Sequence, residues 1–317
     1  MRLLSFQRAG ASRLGVERAE QIVDVNRALQ LSLAAPDAVS DRVLRAAEQA
    51  MPSSLDRALS LRPTERAAAL RSALRLADEL ATAHGEDWAY HHYLLVDRER
   101  VLLRAPVAED CKVFAIALNY ATHAAEAEAN APEFPILFMK PTSTLRGDGA
   151  TVQIPPVTHR IDYEGEIVVV LGERCRNVER EDALSFVAGY CLANDVSARD
   201  WQRRTTQMMI GKAFDGFCPM GPVLVTADEA GPCEELEFTT TVNGELRQKA
   251  RASEMIFDIP HLVSYLSQVV TLEPGDAIVT GTPAGVGAAF RPSKWLRAGD
   301  VVEVSSSQLG TLRTVIA

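Results

Sequence analysis

The sequence predicts an α+β protein in which a mixed, folded-over β core with short helices follows a smaller, helix-rich N-terminal part. Three observations predict it. Apolar residues make up 47% and charged residues 24% of the 317, an ordinary globular balance that allows a sizeable buried core. The chain changes character near residue 105, from long helical runs to strand-rich and turn-rich text. Beyond that point strands do not alternate regularly with helices, which argues against a doubly wound sheet or a (β/α) barrel. The division is therefore residues 1–105, a small α/β domain with a helical insertion, and residues 106–317, the main domain.

Taken in order, residues 1–30 read as short strands, with Gln21 to Val25 the clearest. One helix starts after Pro36 and runs through Val43–Met51. A second starts near Thr64, where Leu70, Leu74, Leu76 and Leu80 recur at near-helical spacing, and His84-Gly85 stops it. Residues 89–103 read as extended, which would send the adjacent His91 and His92 to opposite faces and leave them as structural or surface residues. From Lys112 onward the strands are 113–118, 136–140, 166–172, 189–195, 221–226, 237–248, 276–281 and 301–306. Helices fall at 121–128, 181–187, 197–208 and 258–269. Asn243-Gly244 between alternating segments marks a hairpin.

Several function classes are excluded early. A net charge of −9 disfavours a nucleic-acid partner, because a phosphate backbone wants a basic face. It leaves room for an anionic small molecule, since a bound cation inverts the local field. No apolar run of about 18 residues offers a membrane span. The N-terminus lacks the apolar core of a signal peptide. Cys111, Cys175, Cys191, Cys218 and Cys233 are odd in number, widely spaced and without a CxxC, which fits reduced, buried thiols in a cytoplasmic protein.

The residues able to do chemistry cluster in the second part. Glu164 and Glu166 in DYEGE lead into the apolar strand IVVVLG, and alternate strand residues share a face. Two such carboxylates repel one another, and a divalent cation between them relieves the repulsion; all-oxygen ligands suit Mg²⁺, Mn²⁺ or Ca²⁺. Alone, the pattern more often describes a solvated strand face. Asp195 ends the next apolar strand and also reads as a turn or cap residue. Arg199 and Gln202 follow on the same helix face and suit a carboxylate-bearing ligand. His123 and Glu126 stand at i,i+3, where a carboxylate orients an imidazole as a general base; a capping or surface pair looks the same. Lys212 among Phe214 and Phe217 is costly to bury without an anion, though a snorkelling lysine fits as well. The glycines of TGTPAGVG (280–287) let backbone approach a ligand but form neither a P-loop nor GxGxxG.

Six ordered blocks, LNYxxHxxE, FxKP, DYEGE, NDVSARDWQ, GKxFDGFCPMGP and VTGTPAGVG, run from about Val113 to Ala317. In this order they resemble the fumarylacetoacetate hydrolase family, in its branch of acylpyruvases and 2-oxo-hept-3-ene-1,7-dioate hydratase-isomerases. The resemblance implies a mixed β-sheet roll, usually a homodimer, behind a small N-terminal domain. It implies a metal on Glu164, Glu166 and Asp195, with Mg²⁺ or Mn²⁺ expected and Ca²⁺ an alternative. It implies a water-activating His123–Glu126 dyad with Lys212 as a further catalytic residue, and substrate contacts from Arg199, Gln202 and Thr282. The activity it implies first is hydrolysis of a C–C bond in a 2,4-dioxo acid, as in aromatic catabolism. Decarboxylation or isomerisation and hydration of oxaloacetate-like 2-oxo dicarboxylic acids is the alternative, and a non-catalytic ligand-binding relative the second. Met208, Met209 and Ile210 depart from the family pattern and point to an apolar acyl tail. Residues 126–135 read as a mobile lid.

Overall fold

The computed structural model describes residues 1–19 and 21–317. Its spine is three antiparallel strands, Gly165–Leu171, Val187–Asn194 and Cys218–Thr226. The first is a run of valines and isoleucine buried on both faces, as a strand at the centre of a covered sheet must be. Its side chains divide with period two. Ile167, Val169 and Leu171 join one core cluster, with Leu192, Val223, Leu262, Val304 and Leu312. Val168 and Val170 join another, with Cys191, Ala193, Leu224, Val279, Leu55 and Leu70.

The main sheet extends both ways from this spine. On one side Ala277–Val279 runs antiparallel to Gly165–Leu171 and parallel to Val113–Ala117, and Ile136–Lys140 forms the edge. On the other, Arg2–Arg8 pairs with Cys218–Thr226 through Arg2↔Val225 and Leu3↔Leu224. Ala11–Arg18 and Gln21–Asp24 then continue as a meander, so the N-terminal strands belong to the same hydrogen-bonded ladder as the spine. A second sheet of Glu245–Arg251, Glu237–Val242, Val301–Ser306, Gly310–Ile316 and Thr151–Val152 contributes Phe238, Val304 and Leu312 to the first cluster. The architecture is a mixed α+β roll. Among the described residues no helix is long and apolar enough to cross a membrane, and all five cysteines are buried and unpaired.

Several elements differ from the sequence reading. Val25 opens a helix, Val25–Leu33, because the buried Asp24 carboxylate accepts the Arg27 N–H as its N-cap while also pairing with Arg13. Residues 89–91 are helical within Glu86–His91, where Trp88 stacks on His84 at 4.4 Å and lies 4.7 Å from His92. His91 and His92 thus meet edge to face at 4.9 Å on the surface and do not alternate along a strand. The helix expected over 197–208 shrinks to Arg199–Gln202, since Ser197–Ala198 is taken up in a ladder with Ile161–Asp162. The final strand, Gly310–Ile316, gives little signal in the sequence because Thr314 is buried and Val315 partly exposed, which breaks the apolar–polar alternation.

Gly165 sits where the second sheet packs against the start of the strand Gly165–Leu171. A Cβ there would lie 2.0 Å from the Thr240 hydroxyl and 3.2 Å from the Phe238 ring, so only glycine lets the second sheet close on the start of the strand. Gly165→Ala is expected to cost about 1–3 kcal/mol by overpacking, read as a lower urea midpoint; an unchanged midpoint contradicts this packing.

Candidate active site

The hairpin of Gly165–Leu171 and Val187–Asn194 brings its carboxylates together at one end. Glu164 precedes the first strand, Glu166 is its second residue, and Asp195 follows the second strand. The register sets Gly165 opposite Asn194, and the Asp195 N–H donates to the Glu164 carbonyl at 2.8 Å. All three side chains are buried, and one oxygen from each lies within 4.8 Å of the others.

Three cations face this group. Lys212 Nζ donates to Glu164 and, at 2.7 Å, to Asp195. Lys140 Nζ donates to Asp195 and, at 2.6 Å, to the Lys212 carbonyl, which fixes one lysine against the other. Arg199 Nε donates to Asp162 at 2.8 Å, and its Nη1 lies 2.7 Å from Glu164 and 3.0 Å from Gln202 Oε1. Arg199 Nη2 is buried without a partner among the described residues. Both lysines and the arginine are almost wholly enclosed, so the surface reading of Lys212 is excluded.

The charges divide unevenly. Burial alone would raise the Glu164 carboxyl, but the Lys212 ammonium and Arg199 guanidinium outweigh it and hold the group at about 2. Among the described residues Glu166 has no salt-bridged cation and accepts only the Gly281 N–H. Burial, Asp195 and Glu164 push its carboxyl well above the usual carboxylate range. Lys212 is raised: burial works against its charge, and Asp195 and Glu164 more than offset that. With Asp162, four buried carboxylates meet three buried cations, and the shortfall sits at Glu166. An added divalent cation removes it. The three-carboxylate donor set therefore fits a hard ion of the Mg²⁺ or Mn²⁺ kind, with Glu164, Glu166 and Asp195 as its holders.

Over the carboxylates stands the short helix Ala121–Glu126. His123 Nδ1 lies 3.3 Å from Glu126 Oε2, and Glu126 Oε1 accepts the Gly285 N–H at 2.8 Å. Thr282 donates to the Gly165 carbonyl at 2.9 Å and accepts from Gln248 Nε2 at 2.8 Å. A cavity of about 720 Å³ is lined by His123, Glu126, Glu164, Arg199, Gln202, Lys212 and Thr282. The remaining two expected residues, Glu166 and Asp195, lie beside Glu164 in the carboxylate cluster. Of the apolar stretch, only Met208 lines the cavity, along with Phe138; Met209 and Ile210 are 39% and 47% exposed and stand outside its wall. Residues 127–135 carry no regular structure.

Three contributors were not anticipated. Lys140, the lysine of FxKP, is a buried cation at a strand end, and its apolar neighbours in ILFMK were the available signal. Asp162 holds Arg199 and accepts the N–H groups of Gly287 and Ala288. Gln248 accepts the Gly165 N–H at 2.9 Å and donates to Thr282, joining the strand start to the glycine loop; nothing in its hairpin marks it.

Residues 112–317, which carry every site residue named above, match the family profile described as fumarylacetoacetate (FAA) hydrolase, C-terminal. Oxaloacetate tautomerase YisK of Bacillus subtilis (strain 168) is 46% identical over 220 residues, 68% of this chain and 73% of that protein. A 2,4-didehydro-3-deoxy-L-rhamnonate hydrolase of Sphingomonas sp. (strain SKA58) is 45% identical over 214 residues, 67% of this chain and 75% of that protein. Among solved structures, fumarylacetoacetate hydrolase from psychrophilic Exiguobacterium antarcticum superposes with a TM-score of 0.72 at 30% identity, covering 100% of this chain and 99% of that one.

The raised Glu166 carboxyl has a measurable consequence. In the metal-free protein a raised acid contributes stability below its unfolded pKa and loses it as pH rises through the folded value. A metal requires the deprotonated carboxylate and restores what is lost. The rise in melting temperature on adding Mn²⁺ should therefore grow as pH rises above the ordinary carboxylate range, and Glu166→Gln should flatten that trend. A pH-independent shift contradicts the assignment.

Proposed function

This chain belongs to the fumarylacetoacetate hydrolase family, and from that membership we propose that it is a divalent-metal enzyme forming the enolate of a 2-oxo dicarboxylic acid, with keto–enol tautomerisation of an oxaloacetate-like substrate as its reaction. The observation that carries the reading is the buried, unpartnered Nη2 of Arg199, in a residue that lines the cavity and is bound to Glu164. A buried guanidinium N–H without an acceptor is costly, and a substrate carboxylate satisfies it with a charge-assisted hydrogen bond.

The other groups supply what an α-proton transfer needs. With Glu126 accepting from Nδ1–H, the His123 Nε2 lone pair is left free to take a proton from the carbon next to the 2-oxo group. The same imidazole, now protonated, gives that proton to the enolate oxygen, so a C–H bond is exchanged for an O–H bond, and ketonisation of the enol runs the two transfers in reverse. Lys212 commits two of its three N–H bonds to Glu164 and Asp195, and the third serves the enolate oxygen. A divalent ion held by Glu164, Glu166 and Asp195 supplies Lewis-acid stabilisation of that enolate charge. With the ion bound and Glu166 ionised, the buried charges come to a net positive sum, which favours a dianionic substrate in a chain that is acidic overall. The tautomerase relative supports this reading.

A second reading is hydrolysis of a C–C bond in a 2,4-dioxo acid, with His123 activating water. The cavity of about 720 Å³ favours it, because it has room beyond a four-carbon acid, and so does the hydrolase relative. Both reactions pass through the same kind of enolate and differ in what His123 deprotonates.

The readings separate in one assay. Fading of the ultraviolet absorbance of enol-oxaloacetate should be accelerated by the enzyme and slowed to the buffer rate by EDTA. His123→Ala should lower the rate by about 10²–10⁴ while Mn²⁺ binding persists. Unchanged turnover in His123→Ala sinks the base assignment. Pyruvate release from an acylpyruvate at a higher kcat/KM than the tautomerisation favours hydrolysis.

A further inference from the structure

The two residues that precede the carboxylate cluster, Asp162 and Tyr163, do not touch the proposed metal or substrate, yet both are buried and both reach the glycine loop. The Tyr163 ring packs in an apolar cluster with Ile161, Val196, Phe217 and Val302. Its hydroxyl donates to the Gly285 carbonyl at 2.7 Å. On the other side of the same residue, the Gly285 N–H donates to Glu126, whose second oxygen faces His123. Gly285 is tightly specified: its φ is +106°, and a Cβ would lie 2.0 Å from the Arg247 carbonyl. Arg247 Nη1 approaches the Tyr163 oxygen at 3.4 Å and its Nη2 is held by Glu245 at 2.9 Å. Further along the loop, Gly287 and Ala288 donate to Asp162 at 2.7 and 3.0 Å.

The helix that carries the dyad needs such an anchor. Ala121–Glu126 is six residues long, far below the length at which a helix holds itself in water, and residues 127–135 after it lack regular structure. Glu126 is tied to the rest of the site through Gly285, and Gly285 is tied down through Tyr163. Removal of the phenol oxygen leaves the Gly285 carbonyl without that donor, and the loop can then turn its N–H away from Glu126.

We propose that Tyr163 is a positioning residue for the His123–Glu126 dyad: its hydroxyl latches Gly285 so that the Gly285 N–H fixes the Glu126 carboxylate, and Glu126 fixes the imidazole. The proposal rests on the reading of His123 as the base. It also gives the DYEGE block two tasks in one segment: Glu164 and Glu166 hold the ion, and Tyr163 aligns the base that works beside it.

Tyr163→Phe keeps the packed ring and removes the latch, together with the longer 3.4 Å contact from Arg247 Nη1. Expected is a fall in kcat of about tenfold, the worth of one hydrogen bond, with KM and Mn²⁺ affinity at wild-type values. Because Tyr163 acts through Glu126, adding Tyr163→Phe to Glu126→Ala should lower kcat no further. A wild-type kcat in Tyr163→Phe overturns the proposal. So does a full second loss in the Glu126→Ala background, or a loss of Mn²⁺ binding in Tyr163→Phe, which would mark the hydroxyl as structural only. His123→Ala assayed in parallel separates the two readings. If it retains turnover, the base assignment fails and the latch with it. If it is inactive while the two substitutions act additively, the latch alone fails.

Discussion

Four carboxylates, those of Asp162, Glu164, Glu166 and Asp195, are enclosed at one end of the main sheet, and three buried cations, Lys140, Arg199 and Lys212, stand against them. Placing charges in an apolar interior is tolerable only where they are paired. Here the pairing is one charge short, and the unpaired member, Glu166, lies next to the strand residues Ile167 to Leu171 that form the heart of the core. The strand cannot slip to relieve it, because a shift of one residue would exchange the two buried faces of the sheet. The imbalance is thus built into the register, and a divalent ion is the simplest way to settle it.

The rest of the site hangs from that strand end. Gly165, between the two glutamates, lets the second sheet approach, and its N–H and carbonyl are taken by Gln248 and Thr282. Gln248 and Thr282 also bond to each other, which fixes the glycine loop against the ion-binding end. Lys140 arrives from the sheet edge and Lys212 from the turn before Cys218–Thr226, so elements far apart in sequence supply the counter-charges. The result is a rigid floor of carboxylates and cations beneath a light roof, the helix Ala121–Glu126. In the proposed enolate chemistry the floor would carry the charge, and the choice between proton transfer and water attack would fall to the roof and the cavity mouth.

Much of this was legible in the sequence, for physical reasons that differ by element. The buried strands announced themselves because a doubly covered strand is a run of valine, isoleucine and leucine, and the hairpin because Asn-Gly sits between alternating segments. Alternation on a strand suggested that Glu164 and Glu166 share a face, and the order of the six blocks along the chain suggested that Asp195, His123 and Lys212 stand near them; the fold gathers all five around one cavity. What escaped depends on tertiary pairing. Val25 reads as a strand residue until the Asp24 carboxylate is seen to cap a helix there, and Ser197–Ala198 reads as helix until Ile161–Asp162 is found beside it. Gln248 and Tyr163 carry no local signature, since their importance lies in backbone groups of Gly165 and Gly285 that only the fold brings near.

Whether the three carboxylates hold a divalent ion beside an arginine that takes a substrate carboxylate can be read from anomalous diffraction by crystals grown with Mn²⁺ and oxalate, a planar mimic of the enolate of a 2-oxo acid. An anomalous peak bounded by Glu164, Glu166 and Asp195 is expected, with oxalate on the ion and an oxygen within hydrogen-bond distance of Arg199 Nη2. A peak elsewhere, or no peak with Lys212 still joining Glu164 to Asp195, would contradict that assignment.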